Sequence, residues 1–219
     1  MWDSAMFEML GKGIVETLYM TLFSTFLAYV IGLPLGVALV VTEEDSLMPN
    51  KWINQILNII VNIVRSVPFL ILLIFILPFT RFVVGTTIGS TATVVPLVIA
   101  AAPFIGRMVE SSIKELDKGV IEAALSMGAS PMQIICKVMI PETKPSLLVG
   151  AAISATTILG YSAMAGFTSG GGLGDIAIRY GYNRYQTDVM FVTVVLLVLI
   201  VQLIQGIGMK IASKQDKRK

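Results

Sequence analysis

Five blocks of hydrophobic residues, 14–41, 56–78, 87–106, 146–167 and 189–208, alternate along the chain with polar intervals. A helix needs roughly 20 mostly apolar residues to cross a bilayer. The pattern therefore predicts an all-α membrane protein of five transmembrane helices. A short amphipathic lead-in at 1–13 precedes them, with Trp2 and Phe7 suited to an interface. It has no basic segment of the kind that opens a signal peptide. In the first block, Thr17, Thr21, Ser24 and Thr25 are placed to bond the preceding helical turn, and Gly32 and Gly36 flank Pro34. Two readings of that pair stay open: a helix kinked at the proline, or a close helix–helix contact. The second block carries Arg65, which can snorkel to the nearer surface, and then Pro68, which predicts a bend. Residues 79–86 read as a tight connection. The third block holds Pro96 and Pro103, predicting kinks, and continues as helix to about Glu115. The fourth is rich in small residues. Ala152, Thr156 and Gly160 repeat at i+4 and form a flat stripe suited to packing on another helix.

The long polar interval, 107–149, has its own internal order. Val120–Met127 is a short helix candidate. Gly128 follows where a helix ends in the left-handed conformation that glycine adopts without steric cost. Ser130 offers an N-cap oxygen and Pro131 fits the first turn of a second helix. That helix carries Met132, Ile135, Val138 and Met139 on roughly one face and is expected to stop near Pro141. The prediction is two short helices joined by a sharp turn, outside the bilayer.

Composition supports the membrane reading. Of the 219 residues, 55% are hydrophobic and 14% charged, where soluble domains carry roughly 25% charged residues. Mean hydropathy is +0.83. A net charge of +2 points to no nucleic-acid partner. With no histidine and one cysteine, the chain has neither an intrachain disulfide nor a Cys/His zinc cluster. Cys136 is read as a small buried hydrophobe. The distribution of charge says more than its sum. The 42–55 and 107–149 segments, Arg65 and the basic tail 208–219 carry twelve cations, while Lys12, Arg81, Arg179 and Arg184 lie on the other side. By the positive-inside rule the N-terminus is outside, and the 107–149 loop and C-terminus are cytoplasmic.

Several chemistries are missing from the sequence. There is no G-x-x-x-x-G-K-[ST] loop for ATP, no H-E-x-x-H and no G-x-S-x-G. Gly170-Gly171-Gly172-Leu173-Gly174 lacks the strand and helix of a dinucleotide site and reads as an outer turn. Glu16 and Asp188 lie near block ends and read as interfacial charges, so no buried carboxylate relay for protons is visible.

The cytoplasmic loop carries a resemblance. Glu122-Ala123-Ala124, three residues, Gly128, nine residues, then Val138-Met139-Ile140-Pro141 resembles the E-A-A motif of the permeases of ATP-binding-cassette (ABC) importers, E-A-A-x3-G-x9-I-x-L-P. Val138 stands for Ile and Ile140 for Leu. Arg65-Ser66-Val67-Pro68 resembles the R-x-x-P that opens the second span of amino-acid importers in that family. V-R-S-V-P-F-L-I-L-L, A-A-P-F-I-G-R-M-V-E, M-G-A-S-P-M-Q-I and L-G-Y-S-A-M-A-G are similar to its methionine-importer branch. The resemblance covers about 14–207. It implies a type I importer permease fold, with one transmembrane domain over 14–207, in the inner or plasma membrane.

It further implies that two copies of the chain assemble with two separate ATP-binding subunits. An extracytoplasmic substrate-binding protein would deliver an amino acid, methionine in that branch. ATP hydrolysis would belong to the partner, so the chain would itself be no enzyme and need no cofactor. Glu122, Ala123, Ala124, Gly128, Ala129, Ser130 and Pro131 would form the coupling elbow that seats in the ATPase subunit. The residue types agree: the alanines leave room for close approach, Gly128 makes the turn, and Glu122 can cap or pair. Tyr161, Ser162 and Met164 close the fourth block beside the glycine-rich turn. Met164 is suited to gate a path or simply to pack. Other readings are a permease for another amino acid, an ATP-independent transporter or channel, and a structural membrane subunit.

Overall fold

The structure is a computed structural model that describes residues 4–215; Trp2 and the tail cations Lys217, Arg218 and Lys219 lie outside the described residues. No strand occurs among the described residues. Helix α1 (Ser4–Val41) takes up most of the expected lead-in as its own first turns and runs on through Pro34. Then comes α2 (Lys51–Ser66), capped by Asn50, whose Oδ1 accepts from the Ile53 N–H at 3.1 Å. The second apolar block is not one straight span. Val67 is extended, as a residue before proline is driven to be, and α3 (Phe69–Phe75) leaves α2 at 101°. Residues 79–86 are not a mere connection either. Most of them belong to α4 (Leu77–Val84), which starts with Pro78 in its first turn and ends on Gly85 at φ +83°. Helix α5 (Ser90–Lys114) carries Pro96 and Pro103 without interruption.

The centre of the molecule is α5. In its most apolar stretch 67% of positions are buried, against 11% in α11 (Thr187–Gln215), the last helix. The partner that buries α5 is α1, and the contact resolves the two readings of the glycine pair in favour of close packing. A Cβ on Gly32 would lie 2.8 Å from the Ala102 carbonyl oxygen, and one on Gly36 would lie 2.5 Å from that of Gly106. The backbones are therefore too close for any side chain. Ala28, Ala101, Ile105 and Val109 fill the core around this contact.

Between α5 and α11 the chain makes an elbow and a fourth span. The elbow consists of α6 (Lys118–Ser126), α7 (Pro131–Ile134), a π-helical turn at Ile135–Met139 and α8 (Ile140–Glu142). The expected stop at Pro141 does not occur. The wide π turn lies directly before that proline, and the chain stays helical until Thr143. Ile134, Ile135 and Met139 are buried while Met132 is 66% exposed. The fourth span is α9 (Lys144–Met164), extended by a 3-10 turn at Ala165–Thr168. The short α10 (Gly172–Ile176) and a π-helical turn at Ala177–Tyr182 lead to α11. Among the described residues four helices are long and apolar enough to cross a membrane, five if the bent α2–α3 pair is counted as one span.

Gly36 and Gly11 share α1 but differ in surroundings, since a Cβ on Gly11 would touch nothing within 4 Å. Gly36→Ala is expected to destabilise the protein by about 1–3 kcal/mol through forced separation of α1 and α5, and Gly11→Ala to leave stability unchanged or raise it slightly. Thermal unfolding of the two purified variants beside the parent checks this ordering.

Candidate coupling surface and membrane path

The elbow is built by local hydrogen bonds that its sequence dictates. The Asp117 carboxylate caps α6 by accepting from the Gly119 N–H at 2.7 Å. The other end closes as a Schellman motif: the Gly128 N–H donates to the Leu125 carbonyl at 2.9 Å and the Ala129 N–H to that of Ala124 at 3.1 Å, with Gly128 at φ +78°. Ser130 then forms a capping box with Gln133. Its Oγ accepts from the Gln133 N–H at 3.4 Å, while Gln133 Oε1 accepts from the Ser130 N–H at 2.9 Å. Ala124 faces the core and is buried, whereas Glu122, Ala123, Gly128 and Ser130 are exposed. Leu125, Met127 and Met132 project outward, Met127 at 81% exposure. Cys136, expected to be buried, is exposed; its Sγ lies 3.9 Å from Met132 Sδ. Helical spacing explains the correction: Cys136 falls one turn after exposed Met132 and shares its outward face, while Ile134, Ile135 and Met139 take the core face. The elbow thus has one face fixed to the core and one apolar face that the described residues leave uncovered.

A polar ladder joins the helices beside the elbow, and the sequence reading missed it. Arg107 lies inside α5, in the stretch over which the third block was expected to continue as helix to about Glu115. It donates to Asn58 Oδ1 at 2.7 Å, to Asn62 Oδ1 at 2.9 Å and to Glu110 at 2.6 Å. Lys114 pairs with Glu110 at 2.9 Å and with Glu43 at 2.6 Å. Asn54 donates to the Leu39 carbonyl at 2.7 Å, tying the start of α2 to the end of α1. The signal was present in the spacing: Asn54, Asn58 and Asn62 fall on one face of α2, and Arg107, Glu110 and Lys114 on one face of α5. Between these helices and α6 an open cavity of about 1100 Å³ is lined by Asn54, Asn58, Lys114 and Glu122 among others.

At the opposite end, the glycine-rich stretch is a packed cap and no loose turn. The Glu16 carboxylate accepts from the Gly172 N–H at 2.8 Å and Thr17 Oγ1 from the Leu173 N–H at 2.9 Å. Glu16 is therefore a structural acceptor. Gly166 and Gly174 meet backbone to backbone. Burial pushes the Asp175 carboxyl above its usual range, although Arg179 lies 2.9 Å away. The three residues at the end of α9 are held differently. Tyr161 stacks on Phe69 with ring centroids 4.5 Å apart, Ser162 is buried, and Met164 is 47% exposed. The small-residue stripe also divides. Ala152 packs on Gly208 of α11, Thr156 is half-buried, and Gly160 is exposed with nothing near its Cβ position.

Comparison with known proteins accounts for this architecture. Residues 28–214 match the model of the family described as "Binding-protein-dependent transport system inner membrane component". The chain belongs to this family. This inner membrane component is 46% identical over 99% of its length to the probable D-methionine transport system permease protein of Vibrio cholerae, covering 96% of that protein. It is 49% identical to the methionine import system permease protein of Bacillus subtilis, covering 95% of this chain and 94% of that one. A solved inward-facing methionine ABC transporter superposes with a TM-score of 0.97 at 47% identity over 99% of this chain and all of the other. An amino acid ABC transporter solved with histidines shares the fold at TM-score 0.68 and 23% identity. The expected all-α, multi-pass importer-permease fold is thereby established.

The ladder separates a buried pair from an exposed one. The side chains of Arg107 and Glu110 are 22% and 10% exposed, those of Lys114 and Glu43 45% and 41%. Glu110→Ala is expected to cost about 1–3 kcal/mol because Arg107 keeps its charge and its amide partners but loses its carboxylate. Glu43→Ala is expected to cost less than about 1 kcal/mol, with an effect that fades at high salt. Unfolding temperatures at low and high salt distinguish the two.

Proposed function

We propose that this inner membrane component is the permease of an ATP-driven methionine importer, working with a separate ATPase subunit and an extracytoplasmic binding protein. The observation that carries the reading is the agreement along nearly the whole chain with permeases of methionine import, at 46% identity over 99% of its residues in one case and 49% over 95% in another. The elbow supports it. A coupling element must be rigid enough to transmit force and must offer a surface to its partner. The elbow is capped at both joints, and exposes Leu125, Met127 and Met132 beside Glu122 and Ala123.

Assembly of two copies is part of the proposal. Gly160 and Met164 are exposed along one side of the end of α9. An exposed glycine on a membrane-spanning helix suits close approach of another helix, and the second copy is its simplest partner. The path would then run between the copies, with Met164 as its outer gate and Tyr161 held in place by Phe69.

Two experiments test this reading. Gly128→Val places a branched side chain at a left-handed position, which costs at least about 1 kcal/mol, while the space around that position is open. The variant is expected to reach the membrane at near-parental abundance, to lose ATP-dependent methionine uptake and to co-purify with less ATPase. Normal uptake with a full complement of ATPase would mean that the elbow is not the coupling element. In the second experiment, Gly160→Leu is expected to lower the yield of crosslinked dimer in membranes at least severalfold. A parent that stays monomeric under crosslinking refutes the two-copy path.

A further inference from the structure

The end of α11 brings an exposed apolar stripe and two lysines onto one face. Leu203, Ile207 and Ile211 follow at four-residue spacing and are 63%, 58% and 48% exposed. Lys210 and Lys214 stand one turn beyond Ile207 and Ile211 on that same face, and both are exposed. The helix turns its opposite face to the protein. There Gly208 packs on Ala152 of α9, and Ala212 is buried. Each lysine is two residues from Ala212, roughly 200° around the helix. Glu115 and Glu142 line a cleft of about 340 Å³ with Met209, Ala212 and Ser213, on the protein side of α11. Among the described residues neither Lys210 nor Lys214 forms an ion pair. In the sequence Lys217, Arg218 and Lys219 follow them, with Asp216 as the one carboxylate of 210–219.

We propose that this face of α11 binds anionic phospholipid of the cytoplasmic leaflet, with an acyl chain along Leu203, Ile207 and Ile211 and the headgroup at Lys210 and Lys214. The inference does not depend on the cargo that the protein carries. A lipid asks for this order along a helix, apolar surface first and cations next. From Leu203 to Lys214 the helix advances about 16 Å, close to the roughly 15 Å of hydrocarbon in one leaflet. The lysine stems can lie along the isoleucines while their ammonium groups reach the headgroup layer. A zwitterionic headgroup answers those ammonium groups with its own cation alongside, whereas an anionic one offers net negative charge. Basic segments beside a span are drawn to anionic lipid in this way, and the attraction fades with salt. Lys217, Arg218 and Lys219 add their charge to the same end of the chain. A protein partner would have to be built to present an apolar strip and acidic groups at this level; the leaflet presents both.

The test uses the complete transporter in vesicles containing phosphatidylglycerol or phosphatidylcholine that carries the same photoactivatable diazirine on its acyl chain. Crosslinks are mapped by peptide mass spectrometry. At low salt and equal mole fraction, phosphatidylglycerol is expected to label 203–211 at least threefold more than phosphatidylcholine, and high salt should narrow the difference. Lys210→Gln combined with Lys214→Gln should lower the ratio at least twofold. Lys210→Arg combined with Lys214→Arg keeps the charge and should keep the ratio. Lys51→Gln is the control, since Lys51 belongs to the same side of the membrane but pairs with Glu44 at 3.1 Å; its loss should leave the ratio unchanged. Equal labelling of the parent by the two lipids overturns the proposal, and so does a ratio indifferent to Lys210 and Lys214. Absence of labelling at 203–211, or loss of the ATPase subunit from the Gln variant with an unchanged lipid ratio, would make this face a protein contact and overturns it as well.

Discussion

Helices α1 and α5 touch backbone to backbone at Gly32, Gly36 and Gly106, and the inner half of the molecule is referred to that contact. In lipid there is no hydrophobic force to push two apolar helices together, so close van der Waals packing must do it. Small residues at the crossing allow that packing. With α5 pressed against α1, Arg107 and Glu110 emerge on the side where α2 descends, and Lys114 reaches the turn after α1 at Glu43. The ladder then fixes α2, a helix that otherwise buries only Val61. Its polar groups need partners at that depth, and the partners exist only because α5 is held where it is.

The two ends of the protein solve different problems. The inner end carries the elbow, whose joints are closed by backbone and side-chain caps and whose core face packs into the cluster it shares with α5 and α9. The outer end is closed by crowding. Glycines let the 166–174 backbone double back on itself, and Glu16 and Thr17 of α1 accept the free N–H groups at the start of α10. These free donors of a helix N-terminus attract an acceptor, and a carboxylate is the strongest one available. Between the two ends, the break at Val67–Pro68 gives the second apolar block two directions, one along α5 and one toward the end of α9.

Much of this was legible in the chain. Block lengths predict the spans because a bilayer imposes one length on any helix that crosses it. The elbow could be read residue by residue, since Gly128, Ser130 and Pro131 each act through local backbone geometry that needs no distant partner. The E-A-A spacing pointed to the family for the same reason: it is a short-range pattern on one loop. Where sequence reasoning erred, the deciding contact was distant. Cys136 looked buried until its neighbours Ile134 and Ile135 were found to take the core side, and the asparagines of α2 had no visible partner until Arg107 was found against them.

The sequence alone determined an all-helical membrane protein, the positions of its apolar blocks, the elbow and its turn. Those follow from hydropathy and from the backbone preferences of single residues, which act over a few positions. The tertiary structure decided whether Gly32 and Gly36 mark a kink or a contact, which way α2 turns its asparagines, how the glycine-rich stretch closes on Glu16, and which part of the Ala152–Gly160 stripe is covered. Each of these depends on a partner tens of residues away along the chain. A local pattern states what a side chain is able to do; only packing supplies the group with which it does it.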